Sequence, residues 1–187
     1  MKNPSKTSGG SRQDNFFGTC EGCKSICCRG ARPPLTLGRI STIKEYLLAN
    51  NIGIEEPFER REYSFPKENS DEYCIFFDTT TKRCMIHASK PETCVAGPIT
   101  FDINIDRRTV EWYLKTKKIC RLAGELYHNK DKLREHMKSA KMEIRSLIRD
   151  LSKKELLAIL SIDEPDTFKI GEDRLDPEIL EKLQSVP

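Results

Sequence analysis

Eight cysteines, placed where they are, limit what this chain can fold into more than any other feature. They are Cys20, Cys23, Cys27, Cys28, Cys74, Cys84, Cys94 and Cys120, so the last third of the 187 residues carries none. Cys20-Glu21-Gly22-Cys23 is a CxxC pair. Two intervening residues let the backbone curl until both sulfurs face one centre, a spacing shared by zinc knuckles and iron–sulfur loops. Gly22 relieves the strain of that curl. The vicinal pair Cys27-Cys28 follows. Neighbouring side chains diverge, so both thiolates sit awkwardly on one tetrahedral ion. They fit more easily onto different irons of one cluster, or onto two sites; alternatively one binds and the other packs or reacts. A redox dithiol would need a βαβ pattern beside the CxxC, and none follows here.

The compartment decides how such a set is read. The opening MKNPSKTSGGSRQDNFFG has no apolar run of the signal-peptide kind. No stretch reaches the roughly 18 apolar residues of a membrane span. A cytoplasmic protein is expected, with no membrane partner. In a reducing compartment a disulfide framework is disfavoured, which leaves metal ligands against buried small apolar residues or free thiols. Cys74 and Cys84 fall on the two arms of an expected hairpin, where cross-strand positions bring sulfurs together, and Cys94 follows just after. Cys120, on an expected helix, is the eighth candidate ligand, with packing as a small buried residue its alternative. Of the three histidines, His87 lies three residues beyond Cys84, while His128 and His136 need no special role. There is no His-x-x-x-His pair, Gly-rich phosphate loop or GxSxG.

Charge argues against nucleic acid as a partner. The net charge is +3, and it is local: residues 1–32 carry six Lys/Arg and two Asp/Glu, residues 33–120 carry 13 of each, and residues 121–187 carry 13 basic and 14 acidic. Aromatics are not interleaved with the basic excess. That excess could attract an anionic partner, offset the charge of a thiolate-bound metal, or simply be a solvated tail.

The pattern along the chain gives an α+β fold. Residues 1–15, polar and rich in Ser, Gly, Lys and Asn, read as a disordered arm, with Phe16 and Phe17 opening the folded part. Thr36 is a candidate N-cap for a helix over 37–50, whose Leu37, Ile40, Ile43, Tyr46 and Leu47 recur as one buried face requires, with Asn50, Asn51 and Gly53 as the stop. A short strand is expected at 63–65. Residues 73–77 and 83–87 form the expected hairpin around 78–82, Lys90 to Cys94 one helical turn begun by Pro91, and 99–105 with 109–114 a second hairpin. From Lys117 the period is helical, with segments to about 127, over about 130–150, after the capping-box spacing Ser152-x-x-Glu155, and from Asp176-Pro177 through Leu183. The division is an arm over 1–15, a small cysteine-rich metal-binding core with short hairpins over 16–116, and a helical extension over 117–187.

Taken together, Cys20-x-x-Cys23-x-x-x-Cys27-Cys28, Cys74-Ile75-Phe76-Phe77, Arg83-Cys84-Met85-Ile86-His87 and Lys90-Pro91-Glu92-Thr93-Cys94 resemble the zinc- or iron-chelating cysteine-cluster family of YkgJ-type proteins. The resemblance covers about residues 16–105. It departs where His87 replaces the family's Tyr, Lys90 its Arg, and Val95-Ala96-Gly97-Pro98 its Arg-x-Phe-Pro ending. It implies a metal centre on the cysteines. A larger relative type, the flagellin lysine methylases, is thought to transfer methyl groups with an iron–sulfur centre; this chain is much shorter, and that activity is not carried over.

Three functions fit these residues. The first is a metal-binding module without turnover, used for storage, delivery, sensing or docking to a protein or small-molecule partner. The second is an iron–sulfur redox or group-transfer enzyme, with Lys24, Arg29 and Arg32 as candidates to receive an anionic substrate. The third is a zinc-ribbon-like module for nucleic acid or protein. Soft thiolates suit both zinc and iron. An all-cysteine donor set and the vicinal pair favour an iron–sulfur cluster over zinc.

Overall fold

The computed structural model describes residues 26–164 and 166–185. The arm, Phe16, Phe17, Cys20, Cys23 and Lys24 lie outside the described residues. The fold is α+β, with six helices and short antiparallel strand pairs among the described residues.

Helix α1 (Leu37–Ala49) begins where Thr36 accepts a hydrogen bond from the Arg39 amide and ends as the Asn50 amide returns to Tyr46 O. Asn51 then takes a φ of 52°, the left-handed turn that Asn tolerates. Ile43 and Leu47 are buried with Leu35, Phe76 and Ile86 in a small apolar core, flanked by Ile40 and Tyr46. Leu37, expected on that face, is 75% exposed. At 3.6 residues per turn it points about 120° away from Ile43.

Strands β1 (Phe58–Arg60) and β2 (Ser64–Pro66) form one ribbon, and β3 (Phe77–Asp78) and β4 (Arg83–Cys84) another. The second is shorter than the hairpin read from the sequence. Asp78 explains part of this: its carboxylate accepts from the amides of Thr80 and Thr81, which folds the tip into a local turn. Helix α2 (Glu92–Ala96) follows.

The main sheet has the order β5-β6-β7: β5 (Ile99–Asn104), β6 (Thr109–Lys115) and β7 (Thr167–Arg174), all antiparallel. Ile99, Phe101 and Ile103 lie opposite Leu114, Trp112 and Val110, so one face is apolar. That face packs against Ala140, Ile144, Leu147 and Ile148, together with Leu156, Ile179 and Leu183. These come from α4 (Lys130–Asp150), α5 (Lys153–Leu160) and α6 (Pro177–Gln184); α3 (Arg121–His128) adds Ala123. The stretch after 117 is therefore not purely helical. It also supplies β7, and the sheet joins residues on both sides of 116.

The helix ends after 150 follow the sequence signals. Ser152 and Glu155 close a capping box, and Asp176 caps α6 with Pro177 in its first turn. Lys182 of α6 supplies a further tie: its Nζ donates to the carbonyls of Ile148 (3.0 Å), Arg149 (2.7 Å) and Leu151 (2.9 Å), closing the end of α4. A charged donor on open helix carbonyls contributes more than a neutral one. Replacing Lys182 by Met keeps the stem and removes the donor, with an expected loss of about 1–2 kcal/mol. In urea unfolding the midpoint should fall with the slope unchanged; an unmoved midpoint would show that water replaces the ammonium without cost.

Candidate metal centre

The backbone brings Cys27 and Cys28 to the hairpin. Cys27 and Cys28 stand in a 3-10 turn, Ile26–Cys28. Beyond it the Cys74 amide donates to Cys28 O at 2.8 Å, Arg29 bridges to Tyr73, and the Gly30 amide donates to Glu72 O at 2.7 Å. Gly30 has a φ of 61°, which lets the chain leave this short pairing without strain. Cys28 and Cys74 are thus neighbours across a backbone pair that no local pattern announces. Cys74 also bridges to Glu68, and the Phe77 amide donates to Cys74 O. This turn leads into β3, where Phe77 lies opposite Cys84. Cys94 sits in the middle of α2, and Cys120 stands at the residue before α3, packed against the larger apolar core.

The thiols perturb one another. Cys27 is lowered to about 6, chiefly by a hydrogen bond with Cys28 and also by the ammonium groups of Lys115 and Lys90. Cys28 is raised by that same bond, by burial, and by the charges of Cys27, Cys94 and Cys84. The pair therefore gives up one proton readily and the second with difficulty. Part of Cys94 reaches solvent, yet its thiol is raised, first by the protein packed around it and then by Cys84, Cys74 and Cys27. Cys74 is pushed up to about 11 by burial, with Cys84 and Glu68 adding to it. Cys94 thus lies within electrostatic reach of Cys27, Cys74 and Cys84, and Cys28 within reach of Cys84 and Cys94. Among the described residues, no three or more His, Cys, Asp or Glu side chains close to the geometry of a bound ion.

The donor chemistry fits a soft metal. Partly covered thiols that resist ionisation, and resist it more because of each other, are the arrangement a divalent cation or a cluster iron relieves when it binds. Cys27, Cys28, Cys74, Cys84 and Cys94 are the described residues that would hold it.

Two of the basic residues read as anion receptors are already engaged. Arg29 pairs with Glu72 at 3.0 Å and Arg32 with Glu68 at 3.2 Å. His87 begins a 3-10 turn directly after the β4 segment, and His128 is exposed at the end of α3. His136, which no motif singles out, is buried, with Nε2 3.0 Å from both Ala96 O and Gly97 O. Glu92, also missed, is 3% exposed and accepts from Thr36 Oγ1 at 2.7 Å. A single His or Glu carries no spacing signal, so nothing short of the fold could reveal either.

Comparison with known families gives one match. Residues 19–121, more than half of the chain and including all eight cysteines, match a family profile named CxxCxxCC and described as a "Putative zinc- or iron-chelating domain". The chain has three residues between Cys23 and Cys27 where that name has two. No curated protein and no solved structure matches it significantly.

Proposed function

This chain belongs to the zinc- or iron-chelating CxxCxxCC family, and on that premise we propose that it is a cytoplasmic metal-binding module whose thiolates hold an iron–sulfur cluster. Cys20, Cys23, Cys27, Cys28, Cys74, Cys84 and Cys94 are the ligand pool, with Cys120 as its eighth member. The observation that carries the reading is the backbone pairing that sets Cys28 beside Cys74, at the foot of the ribbon that carries Cys84, with Cys94 close enough for Cys84, Cys74 and Cys27 to raise its thiol. A cluster is favoured over a single zinc because the candidate ligands are all cysteines and because adjacent Cys27 and Cys28 suit two different irons. Storage, delivery, sensing or docking fits better than turnover, since Arg29 and Arg32 spend their charge on Glu72 and Glu68. The partner would be a protein or a small molecule that exchanges metal. Among the described residues no helix is long and apolar enough to cross a membrane.

Anaerobic purification tests this directly. A brown protein with broad visible absorbance, iron and acid-labile sulfide is expected. A colourless protein with stoichiometric zinc would replace the cluster by a thiolate zinc site, and a protein without either metal would remove the reading.

A further inference from the structure

Helix α2 is only five residues long, yet it carries Cys94. A helix that short has little stability of its own, so whatever holds its two ends sets where the sulfur stands. Both ends are held by α4, which lies beyond the family-matched stretch of residues 19–121.

At the C-terminal end, His136 reaches Ala96 O and Gly97 O, each at 3.0 Å. Carbonyls only accept, so Nε2 carries a proton and donates to both. At the N-terminal end, the buried Glu92 carboxylate accepts from Thr36 and stands 3.6 Å from Arg39 Nε. Arg39 in turn donates through its other arm to Glu143 of α4. Thr36 meanwhile caps α1 through the Arg39 amide, so this knot also fixes the chain that leads from Cys28. His136 and Glu143 are seven residues apart, two helical turns, and so share one face of α4. Between them sits fully buried Ala140, whose methyl lets the helices approach closely. The span of about 10 Å matches the length of α2 with its flanking residues.

We propose that α4 is the positioning element of the metal site: His136 directly, and Glu143 through Arg39, hold α2 so that Cys94 stays beside Cys74, Cys84 and Cys27. The inference rests on the metal-binding reading, and it assigns to the helical extension a function in that site. Hydrogen-bonded partners behind metal ligands typically change affinity by about 10–100-fold when removed.

The test compares His136→Leu with His136→Gln in the full chain. Leu keeps the bulk and loses the donor, whereas the Gln amide can donate to the same carbonyls. Zinc is the probe, competed against a chromophoric chelator. His136→Leu should weaken zinc binding about 10–100-fold, His136→Gln should restore most of it, and Glu143→Gln should weaken it in the same direction. In the metal-free proteins, amide exchange at Val95 and Gly97 should speed up in His136→Leu while the sheet amides keep their protection. Unchanged zinc affinity and unchanged exchange in His136→Leu would overturn the proposal, as would equal losses in the Leu and Gln variants. If His136→Leu does not fold, Glu143→Gln decides by the same two readouts. If the wild type itself binds no metal, the metal reading fails, and the exchange at α2 still decides whether α4 holds that helix.

Discussion

Trp112→Ala is expected to cost about 3–5 kcal/mol of folding stability, a large share of the roughly 5–15 kcal/mol that holds a typical domain together. Trp112 is completely buried in the central strand β6. Phe101 lies opposite it on one neighbour and Gly171 on the other. The ring thus fills the centre of the layer between the sheet and α4, and no flanking side chain on β7 can move into the space. Its Nε1 donates to Asp173 at 3.0 Å, and the Lys141 ammonium stands 5.5 Å from the ring. Asp173 also pairs with Lys141 at 2.8 Å and Arg145 at 2.9 Å, so the substitution leaves that carboxylate answered. The loss should therefore be dominated by the cavity and the buried apolar area. Trp112→Phe should cost clearly less, since it retains a ring. Urea unfolding with a chelator present isolates the effect from the metal. A loss below about 1 kcal/mol for Trp112→Ala would mean that the sheet–helix layer is not the main apolar core.

The parts of the fold that sequence revealed are those set by neighbours in the chain. Thr36, the Asn50-Asn51 stop, the Ser152–Glu155 box and Asp176-Pro177 act within a few residues, and each stands where its spacing put it. The hairpin of β5 and β6 was legible for the same reason, since it closes over a short turn. Strand β7 was not. Its Lys169, Glu172 and Arg174 mask the alternation, and an extra residue, Ile170, interrupts the register between Lys169 and Gly171. Its partner is distant: the Lys169 ammonium meets Glu111 across 58 positions. The candidate centre divides in the same way. The cysteines were legible as a set because thiol spacing is a strong signal. The pairing of residues 28–30 with 72–74, which brings Cys28 to Cys74, is long-range and has no composition of its own. The hold of His136 and Glu143 on α2 is longer-range still.

The second large effect is a steep rise in metal affinity with pH. A thiol must lose its proton before it binds, so each ligand still protonated in the free protein releases one proton on binding. The sign then follows from linkage. Where the free protein carries more protons than the complex, raising pH favours the complex, by a factor of ten per pH unit for each proton released. Cys74 is raised to about 11, and Cys28 and Cys94 are raised as well, so all three are protonated near neutrality. Cys27, lowered to about 6, is already largely ionised there and contributes little to the slope above that pH. Binding through the three raised thiols should therefore release about three protons, and apparent zinc affinity should climb about 1,000-fold per unit near neutral pH. Chelator competition corrected for the chelator's own protonation gives the slope, and proton release into weakly buffered solution gives the count independently. Cys74→Ser should remove about one proton from both, because a serine hydroxyl has none to yield in this range. A flat affinity across neutral pH would mean that these thiols are not the ligands, whatever their proximity. A slope that Cys74→Ser leaves untouched would exclude Cys74 alone and keep the other sulfurs in place.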